Sequence, residues 1–319
     1  MAVVATGSVA FDYILTFKGR FADHILPDKK HILNLSFLVD TFEKRRGGVA
    51  GNYAYNLWLL GYPSAILATA GEDGQEYRDW LSARGIDVRG LRILPNEHTA
   101  TGFTTTDLDD NQLTGYYGGA MTKAALLGLG DTVADPEAVI IGPNAPDAMA
   151  RLVKECRERR LRWVYDPAHQ LPHSSAETLL EGAGGAWILI GNDYELELIQ
   201  ERTGKDLAGL QELAEMVVVT LGKDGSRVHT RQGTYEIPAA PPVALVDPTG
   251  AGDAYRSGLV AGLLRGLTLE EAGRVAALVA TCCVEHTGTI EHSFTREDFG
   301  ARYREAFAAD LPPALFANG

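Results

Sequence analysis

The chain has 319 residues, 45% of them hydrophobic and 22% charged, the balance of a folded domain long enough to bury a core without disulfide or metal staples. A net charge of −13 argues against nucleic acid as a partner, and no uncharged apolar stretch reaches the length of a membrane span. Three cysteines, with Cys282 and Cys283 adjacent, argue against a disulfide framework and for a reducing, cytoplasmic setting.

The first residues, MAVVATGSVAFDYIL, lack a basic leader and break at Gly7 and Ser8, so they read as a first core strand rather than a signal peptide. Residues 11–40 hold two β-like runs, FDYILTFKGR and HILNLSFLVD, joined by a polar loop with Pro27. Residues 98–120 are Thr-rich segments flanking Asp109, Asp110 and Asn111, a hairpin signature. From AVIIGP (138–143) onward, apolar strand-like runs alternate with helical patterns: 147–160, then RWVYDP (162–167), WILIGN (187–192), 193–204 and MVVVTLG (216–222). Alternation with nearly continuous apolar strands predicts an α/β fold, a doubly wound, mostly parallel sheet covered on both faces. The two irregular stretches are either edge strands of that sheet or a small sheet of their own.

The strongest chemical signal is ValAspProThrGlyAlaGlyAspAlaTyrArgSerGly, 246–258. PPVALV before it reads as β-like and the residues from Ala254 to Leu264 as helical, which places Gly250, Ala251, Gly252 and Asp253 at a strand-to-helix junction. A helix N-terminus offers unpaired N–H groups to an anion, and small residues let it approach. A carboxylate beside that anion can take a proton from an attacking hydroxyl while the amides stabilise a moving phosphoryl group. Taken alone, such an element is more often a glycine turn ahead of a helix-start carboxylate. It is neither a Walker A loop nor a dinucleotide fingerprint. A second glycine element, ArgArgGlyGlyValAlaGlyAsnTyrAla at 45–54, pairs a close backbone approach at Gly47 and Gly48 with the donor and acceptor of Asn52, a set suited to sugar hydroxyls. A helix start with packing glycines fits it equally well.

Together, Gly-Gly-x-x-x-Asn-x-Ala at 47–54 and AspProThrGlyAlaGlyAspAla at 247–254 resemble the two signatures of the ribokinase-like (PfkB) carbohydrate and nucleoside kinases. Gly7–Asp12, Asn192-x-x-Glu195 and ThrLeuGlyLysAspGly (220–225) extend the resemblance over the whole chain. Within that family, residues 19–28, 35–40, 101–107, 116–121 and AspProAlaHisGln (166–170) are similar to bacterial adenosine kinases. The resemblance implies a large domain of residues 1–10, 41–97 and 121–319, with 11–40 and 98–120 as a small β lid. It implies Asp253 as catalytic base and Gly250, Ala251 and Gly252 as anion hole. Ser8, Asp12, Ser36, Gly48 and Asn52 fall on the acceptor side. Phe103 and Tyr117 are candidates to sandwich a flat base, and Gln170 to meet its edge. Asn192, Thr220, Gly222 and Gly225 face ATP, and Glu195 holds Mg²⁺ through water.

Each residue also has a plainer reading: a turn aspartate at Asp12, backbone bonds for the serines, lid packing for Phe103 and Tyr117, a helix cap at Asn192 and Glu195. Lys223 and Arg256 are either phosphate neighbours or solvated charges. His169 and His173 have helical metal spacing, but Pro172 between them argues against a metal. Because the acidic chain repels ATP at long range, local donors and Mg²⁺ must hold the nucleotide; a monovalent cation is left open. The expected activity is ATP-dependent phosphorylation of a hydroxyl, with adenosine as leading acceptor. A sugar kinase of the same family and a non-catalytic nucleoside-binding protein are the alternatives. The lid sheet also offers a surface through which two chains can pair.

Overall fold

The structure, a computed structural model, describes residues 2–24 and 36–317. Its strands are β1 (Val3–Thr6), β2 (Ala10–Thr16), β3 (Thr41–Gly47), β4 (Ser64–Ala70), β5 (Asp87–Ile93), β6 (Ala100–Thr106), β7 (Gln112–Tyr117), β8 (Ala138–Ile141), β9 (Trp163–Tyr165), β10 (Ile188–Asn192), β11 (Met216–Thr220), β12 (Ser226–Thr230) and β13 (Gly233–Ile237). Its α-helices are α1 (Val49–Leu59), α2 (Gln75–Ser82), α3 (Pro146–Arg159), α4 (Ala176–Ala183), α5 (Asp193–Thr203), α6 (Leu207–Leu213), α7 (Ala251–Leu264), α8 (Leu269–Val284) and α9 (Arg296–Phe307).

Nine strands form the main sheet in the order β13-β12-β11-β10-β9-β8-β1-β4-β5, and pairing is parallel except along β11-β12-β13. Side chains alternate across it. Val3, Ala5, Ile66, Ile140, Ile190 and Val218 join a core with α1, α7 and α8, and Val4, Leu67, Val139, Ile141, Leu189 and Val217 join another with α3 to α6. β1, β4 and β8 are buried along their whole length, as the continuous apolar runs predicted. The chain runs from β1 to one side through β4 and β5, and returns to the other side at β8. This switch point, outside the strand C-termini, is where open α/β sheets bind ligands.

The second sheet has the order β3-β2-β6-β7 and forms the expected lid. Its hairpin turn follows from Asp107, whose carboxylate accepts from the amides of Phe21, Asp109 and Asn111. Two expectations move. The second β-like run was read at 31–40, but residues 36–40 form no strand and the remainder, with Pro27, lies outside the described residues. The lid draws its strand from Thr41–Gly47, across the expected boundary at 40/41. PPVALV is also not a strand. Pro241 and Pro242 cannot donate to a ladder, and the amides of Val246 and Asp247 turn instead to the Val284 carbonyl at the end of α8.

Cys156, Cys282 and Cys283 are free and buried in helix packing. No helix of the described residues is long and apolar enough to cross a membrane.

Candidate active site

The site forms where α1, α7 and the 284–292 segment converge under the lid. Gly250 caps α7 at φ 83°, a left-handed conformation that favours glycine. Its missing Cβ makes room for Thr289, whose Cβ would otherwise be 2.9 Å away. The amides of Gly250 and Gly252 have no backbone partner in the turn among the described residues, while that of Ala251 makes a long 3.3 Å bond to Pro248 O. Asp247 anchors the turn by accepting from the amides of Thr249 and Gly288, each at 2.9 Å. The geometry is that of an anion-binding helix start.

Asp253 lies in the first turn of α7, half-buried. Burial pushes its carboxyl up to about 6; the charge of Arg256 and the hydrogen bond from Asn52 work in the opposite direction. Asn52 Nδ2 donates to Asp253 Oδ2 at 2.7 Å across α1 and α7. A carboxylate with this environment is suited to exchange a proton near neutrality.

Arg256 is neither a solvated charge nor free to roam. It is buried one turn behind Asp253 and its Nη2 donates to Asp166 Oδ1 at 2.7 Å. Asp166, also buried, accepts from Tyr53 Oη at 2.5 Å. Burial works against the arginine's charge, but Asp166, Tyr53 and Asp253 together outweigh it and the guanidinium stays protonated. Its Nη2 also stands 3.8 Å from Glu195 Oε2, so one buried cation links the Asp253 turn to the start of α5. A Cβ on Gly252 would lie 2.6 Å from Arg256 Nη1.

Asp12 comes from the lid. Its oxygens fill the space beside Gly47 and Gly102, where a Cβ would lie 2.3 and 2.8 Å from them. Burial raises its pKa, and the charge of Asp247 raises it further. Gly48 caps α1 at φ 86°. Ser8 lies at the β1 switch point, its Oγ accepting from Val49 N at 3.2 Å and its carbonyl from Ala50 N. The backbone bond is not the local one expected of Ser8: it spans 41 positions and ties β1 to α1.

The aromatic pair is not assembled as expected. Lid register sets Asp12, Gly102 and Tyr116 side by side, and Tyr13 beside Phe103. Since side chains alternate along a strand, Phe103 and Tyr117 project from the face opposite Asp12. Phe103 stacks on Tyr13 with centroids 5.2 Å apart. The aromatic on the Asp12 side is Tyr116, whose pKa is raised by burial and then by the Asp12 charge. Ser36 is exposed in the coil before β3 and meets none of these residues by a hydrogen bond among the described residues. Gln170 is half-buried in the short turn after Asp166, and His169 beside it is exposed.

Asn192 and Glu195 form a capping box at the start of α5, with both bonds at 2.8 Å. Thr220 pairs with Asn192 at the end of β11, and Gly222 and Gly225 flank the turn that follows, with Lys223 exposed. The four expected ATP-side residues thus share the C-terminal edge of β10 and β11. No group of three His, Cys, Asp or Glu able to hold a metal occurs among the described residues.

The profile of the pfkB family of carbohydrate kinases matches residues 12–296. The chain belongs to the PfkB family. A nucleoside kinase of Methanothermobacter thermautotrophicus is 34% identical over 90% of each chain. The Burkholderia thailandensis nucleoside kinase in complex with inosine superposes with a TM-score of 0.87 at 35% identity, over 97% of this chain and 99% of that one. The nucleoside kinase of Methanocaldococcus jannaschii superposes with a TM-score of 0.86 at 27% identity, over 95% and 98%. This PfkB kinase is thus a phosphotransferase of the nucleoside and sugar class on a ribokinase-like fold. Tyr116, Tyr53, Asp166 and Thr289 were not found as site residues from the sequence, and Arg256 was expected only as a phosphate neighbour or a solvated charge, not as the partner of Asp166. For Tyr116 the signal was present, in the strand period of the lid.

Proposed function

We propose that this kinase transfers the γ-phosphoryl group of ATP to the ribose 5′-hydroxyl of a purine nucleoside, adenosine included, with Asp253 as base. The observation that carries the reading is the convergence on one turn of Asp253, Asn52 and the anion-binding start of α7, with Asp12 and Tyr116 facing it from the lid. Similarity to the inosine complex, and to the B. thailandensis enzyme with ADP and inosine at 36% identity, supports nucleoside over simple sugar.

Asp12 accepts from neighbouring sugar hydroxyls, and Asn52 offers the N–H that Asp253 does not use. Asp253 takes the proton of the 5′-hydroxyl as its oxygen bonds to the γ-phosphorus and the bond to ADP breaks. The amides of the 250–253 turn stabilise the charge on the transferring group. Asn192 and Glu195 would hold an Mg²⁺, a hard cation suited to oxygen ligands, which would neutralise phosphate charge. Thr220, Gly222 and Gly225 border the nucleotide. Free, buried cysteines fit a cytoplasmic enzyme, and the lid's outer face fits pairing of two copies.

The test is ADP release with Mg-ATP against adenosine, inosine, guanosine, cytidine, uridine, ribose and fructose. Purine nucleosides should lead by at least an order of magnitude in kcat/KM, a range that stacking and base-edge bonds can supply. Turnover of ribose or fructose alone would leave Asp253 in place and remove the nucleoside reading. Asp253→Asn, with its fold verified, should lower kcat by roughly 10²–10⁴-fold; near-normal turnover would sink the base assignment.

A further inference from the structure

The Gly250 turn, Asn52 and the 284–292 segment meet at one buried hydroxyl. Thr289 Oγ1 donates to Asn52 Oδ1 at 2.8 Å, and among the described residues its only other acceptor is Arg46 O at 3.5 Å. A threonine hydroxyl has one proton, and the shorter bond claims it. Thr289 and Asn52 are 4% and 3% exposed, so water does not readily replace the contact. On its other side the same amide donates to Asp253 Oδ2 at 2.7 Å.

An asparagine amide is nearly symmetric in shape, so its neighbours decide which end faces which way. Turned over, Asn52 would aim its carbonyl at the Asp253 carboxylate, acceptor against acceptor in a buried site. It would also leave its NH₂ facing a hydroxyl that must then accept. The backbone of α1 fixes the position of Asn52 but not this rotation. Thr289 bears on the other side of the centre as well, since its Cβ and Cγ2 pack where a Gly250 side chain would be.

We propose that Thr289 is a positioning residue for phosphoryl transfer, locking the Asn52 amide so that its NH₂ group, and not its carbonyl, is presented to Asp253. One N–H of that group serves Asp253 and the second is held ready for a substrate hydroxyl oxygen. The inference rests on the reading of Asp253 as base.

The test compares Thr289→Val, which keeps the shape, with Thr289→Ser, which keeps the hydroxyl, in the full-length enzyme. Thr289→Val should lower kcat roughly 10-fold through the unsatisfied Asn52 carbonyl. It should also move the acid limb of kcat/KM to higher pH, because Asp253 loses a hydrogen bond that favours its charged form. KM for ATP should hold within about twofold, as the nucleotide side is untouched. Thr289→Ser should restore kcat and the limb.

Asp253 is faced by Arg256 on its own helix, Tyr53 on α1, Asp166 and His169 after β9, and Cys283 on α8. Repeating the comparison in a His169→Gln background removes that imidazole as the source of the limb, and the displacement should persist. Thermal unfolding separates misfolding from mispositioning. Equal impairment by Val and Ser, or a Val variant with wild-type kcat and limb, overturns the proposal. Loss of activity in Asp253→Asn alongside a wild-type Thr289→Val rejects Thr289 alone, whereas an active Asp253→Asn rejects the base itself.

Discussion

At the scale of single residues, Asp253 and Asn52 were legible because glycine spacing marked the turn and the helix that carry them. Their mutual bond was not, since 201 positions separate them. Tyr116 and Tyr117 show how sharply strand parity decides a role: one step along β7 exchanges the site for the outer face. Asp253 also supports a prediction about pH. With its carboxyl pushed up to about 6 by burial, kcat/KM should fall as pH drops through that value in the free enzyme. Stability should move the other way. A raised carboxyl binds its proton more tightly in the folded state, so the cost of its charge is absent below about pH 4, the unfolded value, and complete above 6. Asp253→Asn should therefore be more stable than wild type at pH 8, by on the order of 2 kcal/mol, with the gap closing by pH 4. Buried His292, lowered to about 4 by burial and then by His286, adds a slope of opposite sign common to both proteins. Thermal unfolding of the pair across this range checks the difference; a gap that widens towards acid would reverse the sign.

At the scale of elements, the alternation from β8 to β11 was readable because the strands are largely apolar and α3 and α5 start within a few residues of β8 and β10. PPVALV misled because apolarity alone does not make a strand. A ladder partner is required, the two prolines withhold donors, and Val243 and Leu245 remain 89% and 69% exposed. The lid strand at 41–47 was missed for the converse reason. ThrPheGluLysArgArgGly is charged, as an exposed strand over solvent can be, and its place comes from pairing with β2. The junction between β3 and α1 carries the next prediction. Gly48 has φ 86°, and a Cβ there would lie 2.6 Å from Ser8 O and 2.7 Å from Ala10 N, backbone atoms that cannot swing aside. Gly48→Ala should cost on the order of 1–3 kcal/mol and shift α1, and with it Asn52. Urea unfolding should show the lower midpoint and steady-state assays a reduced kcat; an unchanged midpoint would mean the junction relaxes freely.

At the scale of the whole molecule, a sheet covered on both faces buries its own apolar surface, but among the described residues the lid is covered on one face only. Tyr13, Phe42, Phe103, Leu113 and Tyr117 share the face away from Asp12. Phe42, Phe103, Leu113 and Tyr117 are each between 46% and 64% exposed. In a chain of net charge −13, distant copies repel, so association needs a patch where apolar contact outweighs charge. A second copy suits this one: a twofold contact sets the same side chains against themselves, and closing the lid from outside steadies the strands that carry Asp12 and Tyr116. The kinase should therefore sediment as two chains at micromolar concentration. Phe103→Asp, placed on the outer face and away from the site, should shift it to one chain by desolvating an unpaired charge in the contact. Because a loosened lid holds the acceptor less well, KM for the nucleoside should rise in that variant more than KM for ATP. Sedimentation of wild type as one chain at all concentrations would reject the pairing. A single-chain variant with unchanged nucleoside KM would separate pairing from lid order.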